Sequence, residues 1–495
     1  MLLFLIPLIV ATYLYFFYRN VKRYPPGPTP LPLLGNLLWL NVEFPHKAID
    51  VISKKYGPVF TLWLPLPTVI ITGLEEMKEA LIKKGENFSG RPTNPTDSFF
   101  MTVPNGGIIF AQGEEWKEQR NFALKVLRDF GVGSSLSEDM IHRSLHELFA
   151  YLESCDLTAI DANWPVHLTV GNVVHQLLFG SFVRHDDTQM RFYQDLIEDA
   201  MKKVRSEPCV PLVQANPWMI HAPIVGWRGY GEMRSVALEL IRYVESEIKR
   251  HQAELNLDEE PSTYVAAYLQ EMERRHEVGT PEGYFNMDNL VNTATDLWLA
   301  GMETAATSIR WGFLFLVLHP QVQEKLYEEI QREVGERRIT MSHRLGMPYA
   351  QAVIHEIQRL SNVVTFNVFR RTYTDDTIAG LSIPAGTTIL PQICSVMSDV
   401  EMYERPDEFL PERFLEDDGI TINKTALDRL VAFSMGKRQC AGEALARAEL
   451  FIVLLSVVQK YKMSPADGFP VPSMKPVFGI LQTPQNSMWK LERRQ

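Results

Sequence analysis

A long, almost uninterrupted apolar stretch near the middle of the chain limits the possible folds more than any other feature. From about Asp288 to Leu318 the sequence has the pattern of one buried helix, about 45 Å long at 1.5 Å per residue. Three charged residues, Asp296, Glu303 and Arg310, interrupt this stretch, so it is not a membrane span. A helix that is apolar on all sides and carries a few polar groups is typical of the centre of a large core.

The composition is that of an ordinary globular protein, with 46% hydrophobic and 22% charged residues among 495. It excludes a disordered chain, a fibrous repeat and a polytopic membrane protein. The net charge of −11 gives no general attraction to phosphate backbones, so nucleic acid is not an expected partner. The four cysteines lie far apart and in no paired spacing, which indicates a reducing compartment rather than a disulfide framework.

The rest of the body is predicted to be mostly helical with a small sheet region. Strand-like alternation over Pro58–Gly73 predicts a hairpin, and a short strand is predicted at Thr387–Leu390. Helical periodicity is clear in His142–Leu152 and in Gly231–Leu255. We therefore expect a fold that is mainly α with small β-regions.

The amino terminus carries a membrane signal. Residues 1–18 contain no charged side chain, and their length reaches the lower end of what spans a hydrocarbon core of about 30 Å. Arg19, Lys22 and Arg23 follow, and positive charge there favours leaving the rest of the chain in the cytosol. A cleaved secretory signal is the competing interpretation, but the segment lacks a basic n-region and a clear cleavage site. We predict a transmembrane signal anchor over 1–18.

Five prolines between Tyr24 and Asn36 prevent a helix and form a stiff spacer, although an ordinary linker has the same composition. We predict a basic and proline-rich hinge over 19–36. Length alone suggests about three domains. No second linker, repeat or charge block divides the remainder, so we predict one domain over 37–495. Two glycosylation sequons, at Asn87 and Asn423, would matter only if the chain were lumenal.

The strongest chemical signal surrounds Cys440. Gly436 and Gly442 bracket it, and Lys437 and Arg438 beside a helix start give a potential that favours thiolate. A lone cysteine cannot form a structural zinc site, which needs four ligands, and no histidine nearby in sequence would activate a nucleophile. An axial thiolate on haem iron needs only one cysteine. A buried structural cysteine is the remaining alternative.

The segment from Phe433 to Gly442 resembles the haem-binding loop of the cytochrome P-450 family at every defining position of Phe-x-x-Gly-x-Arg-x-Cys-x-Gly. The resemblance implies that Cys440 is the proximal iron ligand and that Phe433 covers the thiolate side. It also implies that Gly436 permits the bend, that Arg438 pairs with a haem propionate, and that Gly442 lets the next helix pass close to the porphyrin. The implied fold is an α-rich triangular prism behind the N-terminal anchor.

Glu356 and Arg359 lie three residues apart on a predicted helix, and most such pairs are solvated surface pairs of small value. The resemblance implies that they join Arg413, in the segment 404–414, as the family's buried Glu-Arg-Arg triad. Burial of a carboxylate between two guanidiniums makes physical sense, because loss of one partner strands charge inside. The triad would hold the loop leading to Cys440 and would have a structural role in haem retention.

The middle of the long helix carries a second candidate group. Ala300 and Gly301 thin the helix, so that a flat ligand could approach its backbone, and a packing seam between helices is the alternative. Glu303 and Thr304 place a carboxylate and a hydroxyl side by side, as proton delivery requires. The resemblance implies that they are the catalytic acid–alcohol pair of oxygen activation. Ala305 departs from the family, in which a second hydroxyl residue is common there.

Further haem contacts are implied by the resemblance alone. Trp116 and Arg120 match the family's Trp-x-x-x-Arg, whose side chains hydrogen-bond a haem propionate. Arg370 matches the propionate-binding Arg or His by its distance from Glu356, and Arg371 is the neighbouring possibility.

One helical face is basic in this net-acidic chain. Lys117, Arg120, Lys125 and Arg128 fall within an arc of about 140° on a helix. Steering depends on local charge, so we predict that this face, with Lys437, docks an acidic electron donor. A solvated charged face without a partner is the alternative.

The resemblance covers essentially the whole chain, which looks like a microsomal, animal-type member of the family. It implies haem b, O2, and NADPH electrons delivered by a flavoprotein reductase, with cytochrome b5 as a second donor. It also implies an endoplasmic reticulum membrane location facing the cytosol. The substrate would be lipophilic: a fatty acid, a steroid-like molecule or a xenobiotic. Phe99, Phe100 and Phe478 are candidate pocket residues, with core packing as the alternative for each.

Two other functions remain open at this point. A haem-thiolate isomerase or dehydratase of lipid peroxides uses the same cysteine loop without an electron donor, although the intact Glu303–Thr304 pair argues against it. A non-catalytic haem sensor or membrane-tethered binder of lipophiles is the alternative from a different class.

Overall fold

The computed structural model describes residues 2–40, 44–64, 66–93, 99, 101–130, 135–256, 258–279 and 283–494. Within these ranges the helices are α1 (Leu2–Val21), α2 (Pro45–Tyr56), α3 (Leu74–Lys78), α4 (Gly113–Asp129), α5 (Ser135–Ser154), α6 (Asn163–Phe179), α7 (Thr188–Ser206), α8 (Cys209–Ala215), α9 (Glu232–Glu254), α10 (Tyr264–Glu277), α11 (Met287–Leu318), α12 (Pro320–Glu333), α13 (Pro348–Ser361), α14 (Ile393–Met397), α15 (Lys424–Asp428) and α16 (Glu443–Lys460). The strands are β1 (Val59–Trp63), β2 (Pro67–Ile71), β3 (Ile160–Asp161), β4 (Arg370–Arg371), β5 (Asp376–Ile378), β6 (Leu381–Ile383), β7 (Thr388–Pro391), β8 (Tyr461–Pro465), β9 (Val477–Phe478), β10 (Gln482–Thr483) and β11 (Met488–Arg493).

The long apolar stretch forms α11, a helix of 32 residues, most of them buried. It begins where the side chain of Asn286 accepts a hydrogen bond from the Asn289 N–H, and it ends just before Pro320, which cannot continue a helix. The helices α6, α9, α13 and α16 and the strand β8 pack against it. The prediction of a helix through the centre of a large core is confirmed.

The sheets are small and lie around the helical core. Strands β1 and β2 form the predicted antiparallel hairpin, with Val59 opposite Ile71 and Trp63 opposite Pro67. Strand β7 pairs parallel to β2 and antiparallel to β4, which completes a four-stranded sheet. A three-stranded sheet has the order β3-β11-β8, and two further hairpins pair β5 with β6 and β9 with β10.

The predicted helices also match. The periodicity of 142–152 falls inside α5, and that of 231–255 falls on α9 with one residue less at each end. Strand β7 begins and ends one residue later than predicted. The expectation of a mainly α fold with small β-regions is confirmed.

The N-terminal helix α1 is packed against the body at its carboxyl end. The ring of Phe17 lies 5.3 Å and that of Tyr24 5.8 Å from the ring of Trp63 in β1. The Tyr18 hydroxyl donates a hydrogen bond of 3.3 Å to the Pro30 carbonyl oxygen. Among the residues described, no helix combines the length and the apolarity needed to cross a bilayer. The single-pass anchor over 1–18 stays a prediction, as does the hinge over 19–36.

Candidate active site

The loop between α15 and α16 is bent back on itself so that Cys440 lies at its end. Gly436 has a φ of +74°, and an added Cβ would lie 1.8 Å from the Leu81 carbonyl oxygen, so only glycine fits. The Cys440 N–H donates a hydrogen bond of 3.0 Å to the Phe433 carbonyl oxygen, which closes the bend. At Gly442 an added Cβ would meet no atom within 4 Å, so this side of the loop faces open space.

The electrostatics of the Cys440 thiol differ from the sequence-based expectation. Cys440 is exposed to solvent, yet the surrounding protein desolvates it enough to raise its pKa, and this effect outweighs the Gly442 N–H and the Arg120 charge. Lys437 pairs instead with Glu86 at 2.9 Å. Burial therefore opposes the thiolate more strongly than the Gly442 N–H and the Arg120 charge favour it. A metal ion bound to the sulfur would supply the missing stabilisation, because a coordinating thiol is deprotonated.

Four buried or half-buried arginines surround the cysteine loop. Burial and the mutual repulsion of Arg91, Arg120, Arg370 and Arg438 lower the pKa of Arg370 well below its usual value, and the same effects lower that of Arg438. All the charges that shift the pKa of Arg370 are those of other arginines. A group of like charges in a protein interior is stable only with a counter-ion, so the cluster fits a ligand with more than one negative charge.

The hydrogen bonds around this arginine cluster leave donors unused. Arg438 donates to the carbonyl oxygens of Ser89 at 3.0 Å, Ile108 at 3.3 Å and Ala111 at 2.6 Å, and its guanidinium stacks 3.5 Å from the centre of the Trp116 ring. The indole Nε1 of Trp116 is buried and has no hydrogen-bond partner among the described residues. Buried donors are nearly always paired, so this one is aimed at an acceptor outside the chain.

Arg120 and Arg370 are the other two residues predicted to contact a haem propionate, and they also lie beside the cysteine loop. Arg120 donates to the Gln439 carbonyl oxygen, next to the cysteine. Arg370 donates to the Ser434 hydroxyl at 3.2 Å, and within the described residues its buried Nε has no partner. Arg371 turns away and donates to the Gly386 carbonyl oxygen at 3.3 Å. Of the two alternatives that the sequence left open, Arg370 is the one facing the cysteine loop.

The residues proposed as a buried triad do meet. Arg359 Nε lies 2.7 Å from Glu356 Oε2, and Arg413 Nε lies 3.0 Å from Glu356 Oε1. The remaining guanidinium donors go to backbone carbonyl oxygens, among them those of Met397 at 2.8 Å and Glu404 at 2.6 Å. The carboxylate and the Arg359 side chain are almost fully buried. Each charge is therefore paired, and the group ties α13 to the segment that precedes the cysteine loop.

In α11 the predicted acid and alcohol make separate contacts. Thr304 is partly exposed, and its hydroxyl donates to the Ala300 carbonyl oxygen at 2.7 Å. Glu303 is buried, and its Oε2 lies 3.6 Å from Nε2 of His167 on α6. Consecutive helical residues point about 100° apart. The expectation of a carboxylate and hydroxyl side by side is corrected, because Glu303 faces α6.

The small residues of α11 also have different roles. Ala300 is exposed, whereas an added Cβ at Gly301 would lie 3.0 Å from the Val174 side chain on α6. Gly301 therefore belongs to the packing seam between α6 and α11, which was the alternative interpretation, and only Ala300 leaves space for a ligand.

The basic face on α4 is only partly available. Lys117 pairs with Glu114 at 2.9 Å and lies 3.9 Å from Glu86. Lys125 and Arg128 are exposed. Arg120 turns inward to Gln439 and does not belong to the outer face. A surface cavity beside this face is lined by Glu86, Trp116, Lys117, Arg120, Asn121, Leu124, Gly436, Lys437, Gln439 and Cys440. The cavity brings the basic face next to the thiol.

Comparison with known proteins decides the family. A model of the cytochrome P450 family matches residues 25–491. The chain belongs to the cytochrome P450 family. It is 35% identical over 456 residues to cytochrome P450 2J3 of Rattus norvegicus, covering 90% of this chain and 87% of the relative. It is 34% identical over 469 residues to cytochrome P450 2J2 of Homo sapiens, covering 94% and 90%. It is 34% identical over 501 residues to the probable cytochrome P450 CYP36A1 of Caenorhabditis elegans, covering 99% of both.

The enzyme is thus a cytochrome P450 monooxygenase of the animal microsomal type, with haem b held by a thiolate and electrons that come from NADPH through a reductase. The site of this cytochrome P450 fits that cofactor. The two propionates of haem b would offer acceptors to Trp116 Nε1 and Arg370 Nε, which have no partner among the described residues, and counter-charge to the arginines. The iron requires one cysteine, and Cys440 is exposed and lines a surface cavity.

Sequence reasoning missed Arg91. Its Nε donates to the Ile109 carbonyl oxygen at 2.8 Å and its Nη1 to that of Val368 at 3.1 Å, and its charge acts on both Arg370 and Arg438. No motif surrounds Arg91 in the sequence, so only its neighbours in the fold reveal it. The only available signal was a lone arginine in an irregular segment.

The proposed pocket phenylalanines are core residues where the structure describes them. The ring of Phe99 lies 5.2 Å from that of Tyr230, and that of Phe478 lies 5.7 Å from that of Phe366. Both side chains are buried. Phe100 lies outside the described residues. The alternative of core packing therefore describes Phe99 and Phe478 better.

Proposed function

We propose that this cytochrome P450 inserts one oxygen atom of O2 into a lipophilic organic molecule, such as a fatty acid, a steroid-like compound or a xenobiotic. The observation that carries the proposal is the placement of the exposed Cys440 next to a group of arginines and to the Trp116 indole nitrogen, which has no acceptor among the described residues. This arrangement suits a dianionic porphyrin with iron at the sulfur. When bound, haem supplies the oxygen chemistry through its iron and the axial thiolate.

The chain's own residues then have distinct roles. Cys440 would hold the iron, and Phe433 and Gly436 set the loop that presents it. Arg120, Arg370, Arg438 and Trp116 would hold the propionates, and Gly442 leaves space beside the loop. Most of α11 is buried in the apolar core, whereas Ala300 is exposed and Thr304 partly exposed, so this part of the helix is open to a ligand. Thr304 offers a hydroxyl there for holding a proton, with its own proton anchored on the Ala300 carbonyl oxygen.

The Glu356–Arg359–Arg413 triad acts at a distance from the chemistry. It fixes the segment 404–413 against α13 and thereby the approach of the chain to Cys440. We assign it to haem retention. It touches neither the thiol nor the space beside it.

Electrons reach the enzyme from a flavoprotein reductase, and we propose that the donor docks beside the surface cavity next to Cys440. Lys117, Lys125, Arg128 and Lys437 supply the positive charge, although Glu86 pairs with Lys437 and lies near Lys117. Cytochrome b5 is a second donor that this face would accept. Short distance and complementary charge both favour transfer here.

The membrane location is proposed on the N-terminal segment. From Ile6 to Tyr13 the side chains of α1 are exposed and carry no charge, and Trp39 and Leu38 in the next segment are also exposed. Exposed apolar surface of this kind favours a membrane contact. Basic residues follow at 19–23, so we place the enzyme on the endoplasmic reticulum membrane, single-pass, with its catalytic domain in the cytosol.

The surroundings of the Asn87 sequon support a cytosolic location of the catalytic domain. The Asn87 side chain accepts hydrogen bonds from the Tyr373 and Thr374 N–H groups, and Asn423 caps α15 by accepting from Ala426 N–H. A glycan would be attached to the side-chain nitrogen, and at Asn87 this Nδ2 already donates to the Thr374 carbonyl oxygen at 3.2 Å and to Asp376 Oδ2 at 2.9 Å, so a glycan there would disturb these two bonds. Both asparagines therefore have structural roles.

The test is the carbon monoxide difference spectrum of the reduced, detergent-extracted holoenzyme, followed by turnover with reductase and NADPH on a fatty-acid panel. A strongly red-shifted Soret band that is lost in Cys440→Ser, together with NADPH-dependent oxygenated product, is the expected result. Product from lipid peroxides without NADPH would instead establish an isomerase or dehydratase. Haem binding without any turnover would establish a sensor or binder.

A further inference from the structure

A series of aromatic side chains leads from the central helix α11 to the surface, and the proposed oxygenation does not use it. The ring centre of Tyr243 on α9 lies 5.3 Å from that of Trp298 on α11 and 4.3 Å from that of Tyr193 on α7. The ring centre of Tyr193 lies 5.4 Å from that of Phe192, which is exposed, whereas the other three side chains are buried. Tyrosine and tryptophan are among the side chains that lose one electron most readily, so this series is suited to carry electrons between α11 and the surface.

Trp298 lies close to the part of α11 that is open to a ligand. It precedes the exposed Ala300 by two residues, so the two side chains lie on opposite sides of a helix that is about 10 Å across. Electrons cross such a distance in proteins by tunnelling. The indole is fully buried, and its Nε1 has no hydrogen-bond partner in the described part of the chain. Trp298 therefore connects the ligand side of α11 with Tyr243.

The hydroxyl group of Tyr243 begins a line of hydrogen bonds that ends at the surface. It lies 3.2 Å from His175 Nε2, and His175 Nδ1 lies 3.2 Å from Ser181 Oγ. Ser181 donates to Glu247 Oε2 at 3.5 Å, and Arg250 donates to the same oxygen. Ser181 and Arg250 line a surface cavity of about 530 Å³, so the line ends in contact with solvent. We call Tyr243, His175, Ser181 and Glu247 the Tyr243 relay.

The proton positions in the Tyr243 relay follow from its outer end. Glu247 is held in an ion pair, so its carboxylate can only accept, and the Ser181 hydroxyl donates to it. The Ser181 oxygen then accepts from the Nδ1–H of His175, so the neutral ring has its lone pair on Nε2. This lone pair accepts from the Tyr243 hydroxyl, for which the Met190 sulfur at 3.9 Å is the weaker acceptor. All the hydrogen bonds of the relay therefore point from Tyr243 towards Glu247.

Burial favours moving a proton along the whole relay rather than part of it. It raises the pKa of the Tyr243 hydroxyl, so the phenol keeps its proton until an electron is removed. It lowers the pKa of His175 to about 3, so a buried imidazolium is unfavourable. It raises the pKa of Glu247, which makes this carboxylate a favourable end point for the proton.

We propose that Tyr243 is a redox-active side chain that gives one electron to the haem through Trp298 when the haem has been oxidised and no substrate is bound. Tyr243 loses this electron together with its hydroxyl proton and becomes a neutral radical. The proton enters His175 at Nε2, the Nδ1 proton moves to Ser181, and the Ser181 proton moves to Glu247. The imidazole thus stays neutral, and Glu247 holds the proton that Tyr243 has lost.

Recovery of Tyr243 requires an external one-electron reductant, such as ascorbate or a thiol. Tyr193 lies between Tyr243 and the surface, so the electron enters there, and Glu247 returns its proton along the Tyr243 relay. The inference rests on the bound haem and goes beyond the proposed oxygenation, because it concerns oxidising equivalents that no substrate consumes.

The first test mixes the substrate-free ferric holoenzyme with hydrogen peroxide, freezes the sample rapidly and records its electron paramagnetic resonance spectrum. Peroxide takes two electrons from the haem, and Tyr243 returns one, so neither reductase nor turnover is needed. The native protein should give a neutral tyrosyl radical, whose signal narrows when the protein contains ring-deuterated tyrosine. Tyr243→Phe should lose this signal. His175→Phe should lose it as well, because it retains a ring but removes the proton acceptor.

Tyr264→Phe is the matched control, because Tyr264 is also fully buried but its hydroxyl has no hydrogen-bond partner among the residues that the structure describes. This variant should give the native signal. The carbon monoxide difference spectrum of each variant shows whether the haem site is intact. A signal that persists in Tyr243→Phe, or an equal loss in Tyr264→Phe, would overturn the proposal.

A second measurement needs no change at Tyr243. After reaction of the native protein with peroxide and a nitroso spin trap, peptide mapping should find the adduct at Tyr193, and Trp298→Phe should lower its yield. Tyr193→Phe should slow the reduction of the radical by ascorbate. Adducts confined to other tyrosines would contradict the proposal.

The two proposals can fail separately. A holoenzyme that forms the Tyr243 radical but no NADPH-dependent product would contradict the proposed function and support the redox role of Tyr243. Normal NADPH-dependent product without the radical would support the proposed function and overturn the redox role.

Discussion

Two groups of buried arginines in this cytochrome P450 have opposite arrangements. In the Glu356 triad two guanidiniums share one buried carboxylate, and their other donors end on backbone carbonyl oxygens. Around Cys440 the arginines repel one another, and one nitrogen of Arg370 is left without an acceptor among the described residues. The first group is complete within the chain, and the second becomes complete only with an anionic ligand. The difference separates a structural network from a binding site, although both consist of the same residue type.

The largest expected effect comes from breaking the complete group. Glu356→Gln would leave two buried guanidiniums without a counter-charge, and we expect a loss of about 3–5 kcal/mol in the free energy of unfolding. Urea denaturation together with the haem content of the purified protein measures it. The control is Glu408→Gln, which removes an exposed pair with Arg405 and should cost less than about 1 kcal/mol. Equal effects of the two changes would remove the distinction between the groups.

In the second group, the arginines around Cys440, we expect Arg370→Met to weaken haem binding rather than the fold. The change relieves repulsion in the free chain but removes charge-assisted bonds to the haem, which are worth about 1.5–3 kcal/mol, or about 10- to 150-fold in affinity. Haem transfer to an excess of apoglobin should therefore be faster by a factor in that range.

Arg371→Met is the matched control for this change, since Arg371 donates to the Gly386 carbonyl oxygen and should leave haem transfer unaffected. Faster transfer in Arg371→Met than in Arg370→Met would reverse the assignment of the propionate contact.

A third buried ionisable group, Asp296, is intermediate between the two arginine groups in how well the chain stabilises its charge. The Asp296 carboxylate accepts from the N–H groups of Ile108 at 2.7 Å and Ile109 at 2.9 Å, yet burial still raises its pKa to about 6. The folded protein therefore keeps this proton at pH values where the unfolded chain has lost it. Stability should fall by about 1.4 kcal/mol per pH unit between about pH 4 and 6, and then level off.

Asp296→Asn should remove that part of the pH dependence while retaining an acceptor oxygen for one N–H. Unfolding midpoints from pH 4.5 to 7.5 for both proteins measure the difference. If the dependence of stability on pH is unchanged in Asp296→Asn, other groups cause it. The two backbone N–H donors would then be enough to stabilise the Asp296 carboxylate.

The smallest effect is expected at the surface. Charge reversal by Lys125→Glu and Arg128→Glu should slow reduction by the reductase about 3- to 10-fold at low salt, and the difference should vanish near 1 M salt, where screening acts within about 3 Å. Lys249→Glu, on an exposed part of α9, is the control. Equal slowing in the control would show that total charge, rather than this face, controls docking.

Much of the fold and of the candidate site could be predicted from the sequence, because it depends on constraints within short segments. Gly436 has a left-handed φ that glycine tolerates best, and the period of apolar residues determines α11. The motif around Cys440 shows the same kind of local constraint. By contrast, Arg91 has no sequence signal, because its importance depends on three arginines far away in the chain.

Glu303 shows most clearly what could not be predicted from the sequence. The sequence places it beside Thr304, but its direction is set by His167 on another helix. The same holds for Gly301, whose missing side chain makes room for Val174, and for Cys440, whose thiol is affected more by desolvation than by the lysine and arginine next to it in sequence. In each of these cases the outcome depends on contacts between secondary-structure elements that are far apart in the sequence.

By itself, the sequence determined the family and the central helix, and it singled out the cysteine that we propose as the iron ligand and the members of the triad, because each depends on residue type and spacing along short segments. Only the tertiary structure decided which charges are paired. Electrostatic energy and desolvation depend on distances between segments that are remote in sequence. Whether a buried arginine stabilises the fold or awaits a ligand is therefore a property of the assembled core.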